Sequence, residues 1–144
     1  MVGLMEKQAV IRVKENFPQH TKRVLVADDS EVIRQRLKSL ISDIEVVELV
    51  GEAEDTQSAI QLWQSTKPDI VILDLRMPGG GGTKVLREIK IQSPETVVII
   101  LTNYPYMAYH KKCTELGADY FFDKALEFDK VKDILIGGEE SGLK

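Results

Sequence analysis

Five polar side chains close apolar runs along the chain, and together they could form one reactive site. The residues are Asp28 and Asp29 after "RVLVA", Asp74 after "IVIL", Thr102 at the end of "TVVIILT", and Lys124 at the end of "DYFFDK". A single acid in such a place is commonly a turn former or a helix cap. If the runs are parallel strands of one sheet, however, their carboxyl ends meet at one edge, where such sheets bind ligands. We therefore expect the five side chains to converge.

The types of these side chains predict phosphoryl chemistry at a magnesium site. Three carboxylates at close range repel one another unless a cation neutralises them. The oxygens of Asp28, Asp29 and Asp74 are the hard ligands that Mg²⁺ prefers. An aspartate held in its ionised form is a competent nucleophile and can form an acyl phosphate. We expect Asp74 to be that nucleophile, with the Lys124 ammonium and the Thr102 hydroxyl contacting the phosphoryl oxygens.

Other residues that could suggest a functional site are predicted to have structural roles. The glycine tract 79–82 is expected to give backbone freedom beside Asp74, and it lacks the spacing and the lysine of a Walker phosphate-binding loop. His20 and His110 are isolated and predicted to lie on the surface. Trp63 and Cys113 stand at helical spacing from apolar residues, so both are predicted to pack in the core.

Strands and helices that could position the site alternate regularly along the sequence. The five runs are rich in β-branched residues, and the first, third and fourth are apolar almost throughout, as in strands covered on both faces. Between the runs, apolar residues recur at helical spacing, with Ser30 and Asp55 as candidate N-caps. This alternation predicts an α/β fold, a doubly wound parallel sheet with helices on both faces. The predicted strands span residues 23–28, 46–53, 69–75, 96–102 and 119–124, and the last predicted helix spans Glu127 to Ile136.

Length and composition indicate a single domain and disfavour two classes of partner. The 144 residues suffice for a single domain, predicted at 23–136. Residues 1–22 are an N-terminal extension, either a short packing or dimerising helix or a frayed segment, and 137–144 a flexible tail. The formal net charge of −4 disfavours nucleic acid and anionic membranes as partners. The lack of an apolar signal core and the single cysteine favour a cytoplasmic location.

The motifs as a set resemble the response regulator receiver domain of two-component signalling, the flavodoxin-like domain typified by the chemotaxis regulator. The resemblance covers about residues 22–136 and is carried by "VLVADDS", "VILDLRMPGGGG", "IILTN" and "FFDK". It implies a five-stranded sheet with strand order 2-1-3-4-5. It also implies a signalling phosphoacceptor rather than an ordinary enzyme, with a histidine kinase or phosphotransfer protein as donor and a downstream protein target. The resemblance leaves open whether the chain forms a homodimer.

The resemblance also implies a role for each site residue. Asp74 would be phosphorylated, Asp29 would bind Mg²⁺ directly, and Asp28 would act partly through water. The backbone carbonyl of Arg76 would be a further metal ligand. By the same resemblance, Thr102 and Phe121 would be the switch residues and Lys124 would pair with the phosphoryl group.

This sequence departs from the usual family pattern at positions beside the site. Ala125 replaces the proline that commonly follows the lysine, and Asn103 replaces a small residue after Thr102. Arg76 and Tyr104 are bulky at two positions that tune hydrolysis of the phosphoaspartate in this family. They imply slow self-dephosphorylation.

Three alternatives accompany this interpretation. A magnesium-dependent aspartyl phosphatase would need a second acid two residues after the nucleophile, where this chain has Arg76. A pseudo-receiver would bind partners without phosphorylation, but such proteins usually lack the acid pair or the acceptor. The chain could also be the receiver fragment of a larger regulator.

Overall fold

The computed structural model describes residues 21–137, which form five parallel strands and five helices in strict alternation. The predicted N-terminal extension, apart from its last two residues, and the predicted tail after Gly137 lie outside this range. No helix of residues 21–137 is long and apolar enough to cross a membrane. The strands are β1 (Lys22–Ala27), β2 (Val47–Ala53), β3 (Ile70–Leu73), β4 (Val97–Thr102) and β5 (Tyr120–Asp123); the helices are α1 (Glu31–Ser42), α2 (Thr56–Thr66), α3 (Gly82–Gln92), α4 (Met107–Glu115) and α5 (Lys130–Leu135).

The sheet order is β2-β1-β3-β4-β5 with every pairing parallel, as the resemblance implied. Alternate residues of the central strands point to opposite faces and divide the core into two layers. Leu25, Val71 and Ile100 pack with residues of α2, α3 and α4 on one face. Val24 and Ile72 pack with residues of α1 and α5 on the other. The predicted doubly wound arrangement is therefore confirmed.

Local signals in the sequence set the helix ends. The Ser30 hydroxyl accepts a hydrogen bond from the Ile33 amide at 3.3 Å, and the Asp55 carboxylate accepts one from the Ser58 amide at 2.8 Å. Both predicted N-caps are thus confirmed. The last helix is shorter than the sequence pattern predicts. Its predicted first residue, Glu127, accepts a hydrogen bond from the Asp123 amide at 2.9 Å, and this contact holds the connection in turns before α5 begins.

Trp63, Cys113 and His110 lie where the sequence predicts them, whereas His20 lies outside the described residues. Trp63 and Cys113 are buried in the core, and burial raises the pKa of the Cys113 thiol to about 11, so it stays protonated near neutral pH. His110 is exposed.

Candidate functional site

The ends of β1 and β3 bring three carboxylates together. Ala27 and Leu73 are paired across the two strands, so Asp28 and Asp74 leave the sheet side by side. Each of Asp28, Asp29 and Asp74 offers an oxygen within 4.8 Å of the others. Asp28 and Asp74 are only 2% and 3% exposed, whereas Asp29 is exposed. The predicted acidic cluster therefore forms, with one acid reaching solvent.

Lys124 supplies the only side-chain cation in salt-bridge contact with these acids among residues 21–137. Its Nζ lies 2.7 Å from Asp28 Oδ2 and 3.4 Å from Asp74 Oδ1. Its backbone amide donates to the Thr102 carbonyl at 2.8 Å, which ties the end of β5 to the end of β4. One ammonium cannot neutralise three carboxylates, and the shorter contact is with Asp28.

The charge of Asp74 is only partly compensated. Its Oδ1 is buried and accepts no hydrogen bond from the residues that the structure describes. Burial and, next, the charge of Asp28 raise the pKa of Asp74, Lys124 lowers it, and the net result is a pKa of about 6. A buried carboxylate with an unpaired oxygen next to two further acids fits a bound divalent cation, because such an ion would supply the missing charge and ligand contact. The donor set is all oxygen, as Mg²⁺ requires.

The Thr102 side chain is fully buried at the end of β4. Its Oγ1 accepts a hydrogen bond from the Tyr104 amide at 2.9 Å. The guanidinium carbon of Arg76 lies 4.5 Å from the centre of the Tyr104 ring, within the range of a cation–π contact. The two bulky residues beside the site therefore contact each other and join the loops after β3 and β4.

Phe121, on β5, is buried rather than solvent-facing. Its ring packs against His110 of α4, with ring centres 4.8 Å apart. The residue expected to act as an aromatic switch thus contacts the surface helix α4. The peptide bond between Lys124 and Ala125 is trans.

The glycine tract adopts backbone conformations and close approaches that other residues would not allow. Gly81 has a φ of +86°, and a Cβ on Gly82 would collide with the backbone oxygen of Asp74. The Gly81 amide donates to Thr56 Oγ1 at 2.8 Å, and the Gly82 amide donates to the Leu75 carbonyl at 2.8 Å. Gly81 and Gly82 allow close approach to the backbone of Asp74 and Leu75, and hydrogen bonds hold them there. The positive φ of Gly81 uses the conformational freedom that glycine was expected to supply beside Asp74.

Two residues that support the site, Thr56 and Arg34, were not predicted from the sequence to do so. Thr56 is buried at the start of α2, and its Oγ1 holds Gly81 by accepting a hydrogen bond from the Gly81 amide. Arg34 donates from Nη1 to the Asp28 carbonyl at 2.8 Å and from Nε to Glu52 at 2.9 Å. The sequence offered one weak signal, a basic residue one helical turn after the Ser30 cap.

Comparisons with known proteins agree with this geometry. The family model described as the response regulator receiver domain matches residues 24–136. Protein CcdB of Bacillus subtilis is 34% identical over 109 residues, which cover 76% of this chain and 90% of CcdB. Response regulator GacA of Pseudomonas aeruginosa is 28% identical over 109 residues, covering 76% of this chain and 51% of GacA. The chain thus spans about half the length of GacA, and it spans 57% of the transcriptional regulatory protein YhcZ of Bacillus subtilis.

Solved structures show the same similarity. The response regulator domain of Thermotoga maritima CheB matches with a TM-score of 0.72 at 31% identity, covering 81% of this chain and 92% of that one. The isolated REC domain of RcsB from Salmonella enterica serovar Typhimurium, with the phosphomimetic BeF3⁻, matches with a TM-score of 0.74 at 25% identity, covering 84% and 93%.

Proposed function

The chain belongs to the response regulator receiver domain family of two-component systems, and from this membership we propose that it accepts a phosphoryl group on Asp74 and signals through a conformational switch to a protein partner. One observation carries the proposal. The Asp74 carboxylate is buried, one of its oxygens lacks a hydrogen bond within the described residues, and Lys124 Nζ lies 3.4 Å from that oxygen. The partner that donates the group is a histidine kinase or a histidine phosphotransfer protein.

The residues that would hold Mg²⁺ are Asp28, Asp29, Asp74 and the backbone carbonyl of Arg76. Asp29 is the exposed acid and the proposed direct ligand, while Asp28 already contacts Lys124 and acts partly through water. When bound, the ion neutralises the acids and orients the phosphoryl oxygens. The side chains of Asp28 and Asp74 are fixed by burial, so the protein orders these ligands before the ion arrives.

In the transfer, an Asp74 carboxylate oxygen forms a bond to phosphorus. The bond from phosphorus to the donor imidazole nitrogen breaks, and its electron pair stays on that nitrogen. Lys124 is already within 3.4 Å of the acceptor and contributes a positive charge to the phosphoryl oxygens. Its closer contact with Asp28 at 2.7 Å keeps the ammonium beside the site when the phosphoryl group is absent.

The switch proposal concerns Thr102 and Phe121. The Thr102 hydroxyl accepts a hydrogen bond from the Tyr104 amide, which leaves its own proton for donation to a phosphoryl oxygen. Turning toward Asp74 would break that bond and release the loop that leads into α4. Phe121 packs on His110 of the same helix, so both switch residues act on α4. A charge change at Asp74 would thereby alter a surface that a protein partner can read.

Intact mass spectrometry tests phosphoryl acceptance directly. The chain is incubated with acetyl phosphate and Mg²⁺, and Asp74→Asn serves as the matched control, since it keeps the size of the side chain but removes the nucleophile. We expect the wild type alone to gain the mass of one phosphoryl group. No gain with acetyl phosphate or with a phosphorylated kinase would instead favour the alternative, a pseudo-receiver that binds its partner without phosphorylation.

A further inference from the structure

Arg34 links three parts of the molecule that meet beside the acidic site. It lies on α1, and its Nη1 donates to the backbone carbonyl of Asp28 at 2.8 Å. Its Nε donates to Glu52 Oε1 on β2 at 2.9 Å. The Arg34 side chain is only 13% exposed, so its fork is ordered by packing as well as by its two acceptors. No part of Arg34 forms a salt bridge with the three carboxylates of the site in the described residues.

The contact fixes the peptide group between Asp28 and Asp29. The Asp28 amide donates to the Ala53 carbonyl at 2.9 Å, while the Asp28 carbonyl accepts from Arg34. Glu52, the second acceptor of Arg34, immediately precedes Ala53 on β2. Both backbone polar groups of Asp28 are therefore anchored to the same short segment of β2, one directly and one through Arg34. The Asp28 carbonyl lies in the same peptide plane as the nitrogen and Cα of Asp29. Its orientation therefore sets the position of the Asp29 backbone, from which the exposed carboxylate extends.

We propose that Arg34, held by Glu52, is a positioning residue of the acidic site: it fixes the peptide between Asp28 and Asp29 and so strengthens the binding of a divalent cation. The proposal rests on the metal site of the proposed function. Residues that orient metal ligands without touching the metal commonly change its affinity by about 10- to 100-fold. Arg34 acts through a backbone carbonyl, and we expect a loss of about 3- to 10-fold.

The sign of the effect separates positioning from simple charge. Arg34 is a cation near the site, so the loss of its charge alone would reduce repulsion of Mg²⁺ and tighten binding. Positioning predicts the opposite, weaker binding. Lys38 offers the matched control, because its Nζ forms a salt bridge with Glu52 Oε2 at 2.8 Å, and no contact between Lys38 and Asp28 is recorded in the described range. Lys38→Met therefore removes a cation from the same Glu52 and leaves the Asp28 carbonyl bonded.

The experiment is calorimetric titration of Mg²⁺ into the full chain, with urea unfolding of the metal-free proteins in parallel. We expect Arg34→Met to weaken Mg²⁺ binding about 3- to 10-fold and Lys38→Met to change it by less than about twofold. Arg34→Lys should recover part of the loss, because an ammonium can donate to the Asp28 carbonyl but cannot span both acceptors as the guanidinium does. Equal affinities for Arg34→Met and Lys38→Met, or tighter binding by Arg34→Met, would overturn the proposal.

Two further results keep the test decisive. If Arg34→Met does not fold, Glu52→Gln takes its place, because it keeps the length of the side chain and removes the charge that holds Arg34. We expect Glu52→Gln to weaken Mg²⁺ binding more than Lys38→Met does, and an equal effect would contradict the proposal. A wild type that binds no Mg²⁺ would overturn the metal site itself. Normal wild-type binding with an unchanged Arg34→Met variant would overturn only the role of Arg34.

Discussion

At the scale of single residues, the electrostatics of Asp74 connect the site to the stability of the fold. Its carboxylate is buried beside Asp28, and Lys124 offsets only part of the resulting cost. The pKa of Asp74 is therefore raised to about 6. The folded chain holds this proton more tightly than the unfolded chain does, so the native state gains stability from protonation of Asp74 and loses it as the carboxyl ionises.

The pH range of this effect follows from the raised pKa. The stabilisation is fully present below the ordinary aspartate pKa, near pH 4, and is lost as the pH rises through about 6. In the presence of a chelator, we expect Asp74→Asn to be on the order of 2 kcal/mol more stable than the wild type near pH 7.5. The advantage should shrink as the pH falls toward about 4. Urea unfolding at both pH values measures it.

Asp29→Asn is the control for this prediction. Asp29 is exposed, and its charge makes a smaller contribution to the raised pKa of Asp74 than that of Asp28. We expect only a small pH-dependent gain for this variant. A gain for Asp74→Asn that is equal at the two pH values would show that repacking, rather than charge, causes it.

At the scale of elements, the loops after β3 and β4 meet over the contact between Arg76 and Tyr104. We infer that this pair limits the approach of water to a phosphoryl group on Asp74, because each residue follows a site residue by two positions and the Arg76 guanidinium carbon lies 4.5 Å from the centre of the Tyr104 ring. The wild type should therefore keep its phosphoryl group for minutes or longer. A half-life of seconds would contradict this inference.

Variants at the two positions test the same inference. We expect Tyr104→Ala and Arg76→Ala each to accelerate phosphoryl loss, and the double variant to add little, because either change breaks the one contact. Tyr109→Ala is the control, since Tyr109 stacks on Tyr106, and no ring contact with Tyr104 is recorded for it within residues 21–137. Loss of the phosphoryl mass with time gives the rates. Equal acceleration by Tyr109→Ala would show that the effect is not specific to the contact between Arg76 and Tyr104.

The first residue of α3, Gly82, packs against the backbone of Asp74. A Cβ on Gly82 would meet the Asp74 backbone oxygen, which cannot move without shifting the acceptor. We expect Gly82→Ala to reduce the free energy of unfolding by about 3 kcal/mol or more. Gly51→Ala on β2 is the control, since its Cβ would meet side-chain atoms of Leu25 and Leu62 at ordinary distances of 3.4 and 3.5 Å. Urea unfolding compares the two, and equal losses would contradict the steric explanation.

At the scale of the whole molecule, the sequence predicted those features that depend on local pattern and burial. Short local patterns predict the strands, the sheet faces and the Ser30 and Asp55 caps. The clustering of the three acids follows from their places at strand ends in a parallel sheet. The contacts of Arg34 with Glu52 and of Thr56 with Gly81 join residues 18 and 25 positions apart. Such contacts depend on strand register and loop geometry, which no local pattern specifies.

The proposed switch uses the order of the strands in the sheet. The acids lie at the carboxyl edge of β1 and β3, and Thr102 and Lys124 lie at the ends of the next two strands. Phe121 extends the connection from β5 to His110 on α4. In the proposed switch, a charge change at Asp74 would reach the outer helix through Lys124, which contacts Asp74 and follows β5, and through Phe121 on the same strand.

The most direct test of Asp74 as the acceptor is to locate the phosphoryl group on the chain. The phosphorylated protein is treated with borohydride, which reduces an acyl phosphate of aspartate to homoserine, and the digested peptides are sequenced by mass spectrometry. We expect homoserine at position 74 and at no other aspartate, with none in a sample treated before phosphorylation. Homoserine at position 28 or 29 instead, or none after phosphorylation, would contradict Asp74 as the acceptor.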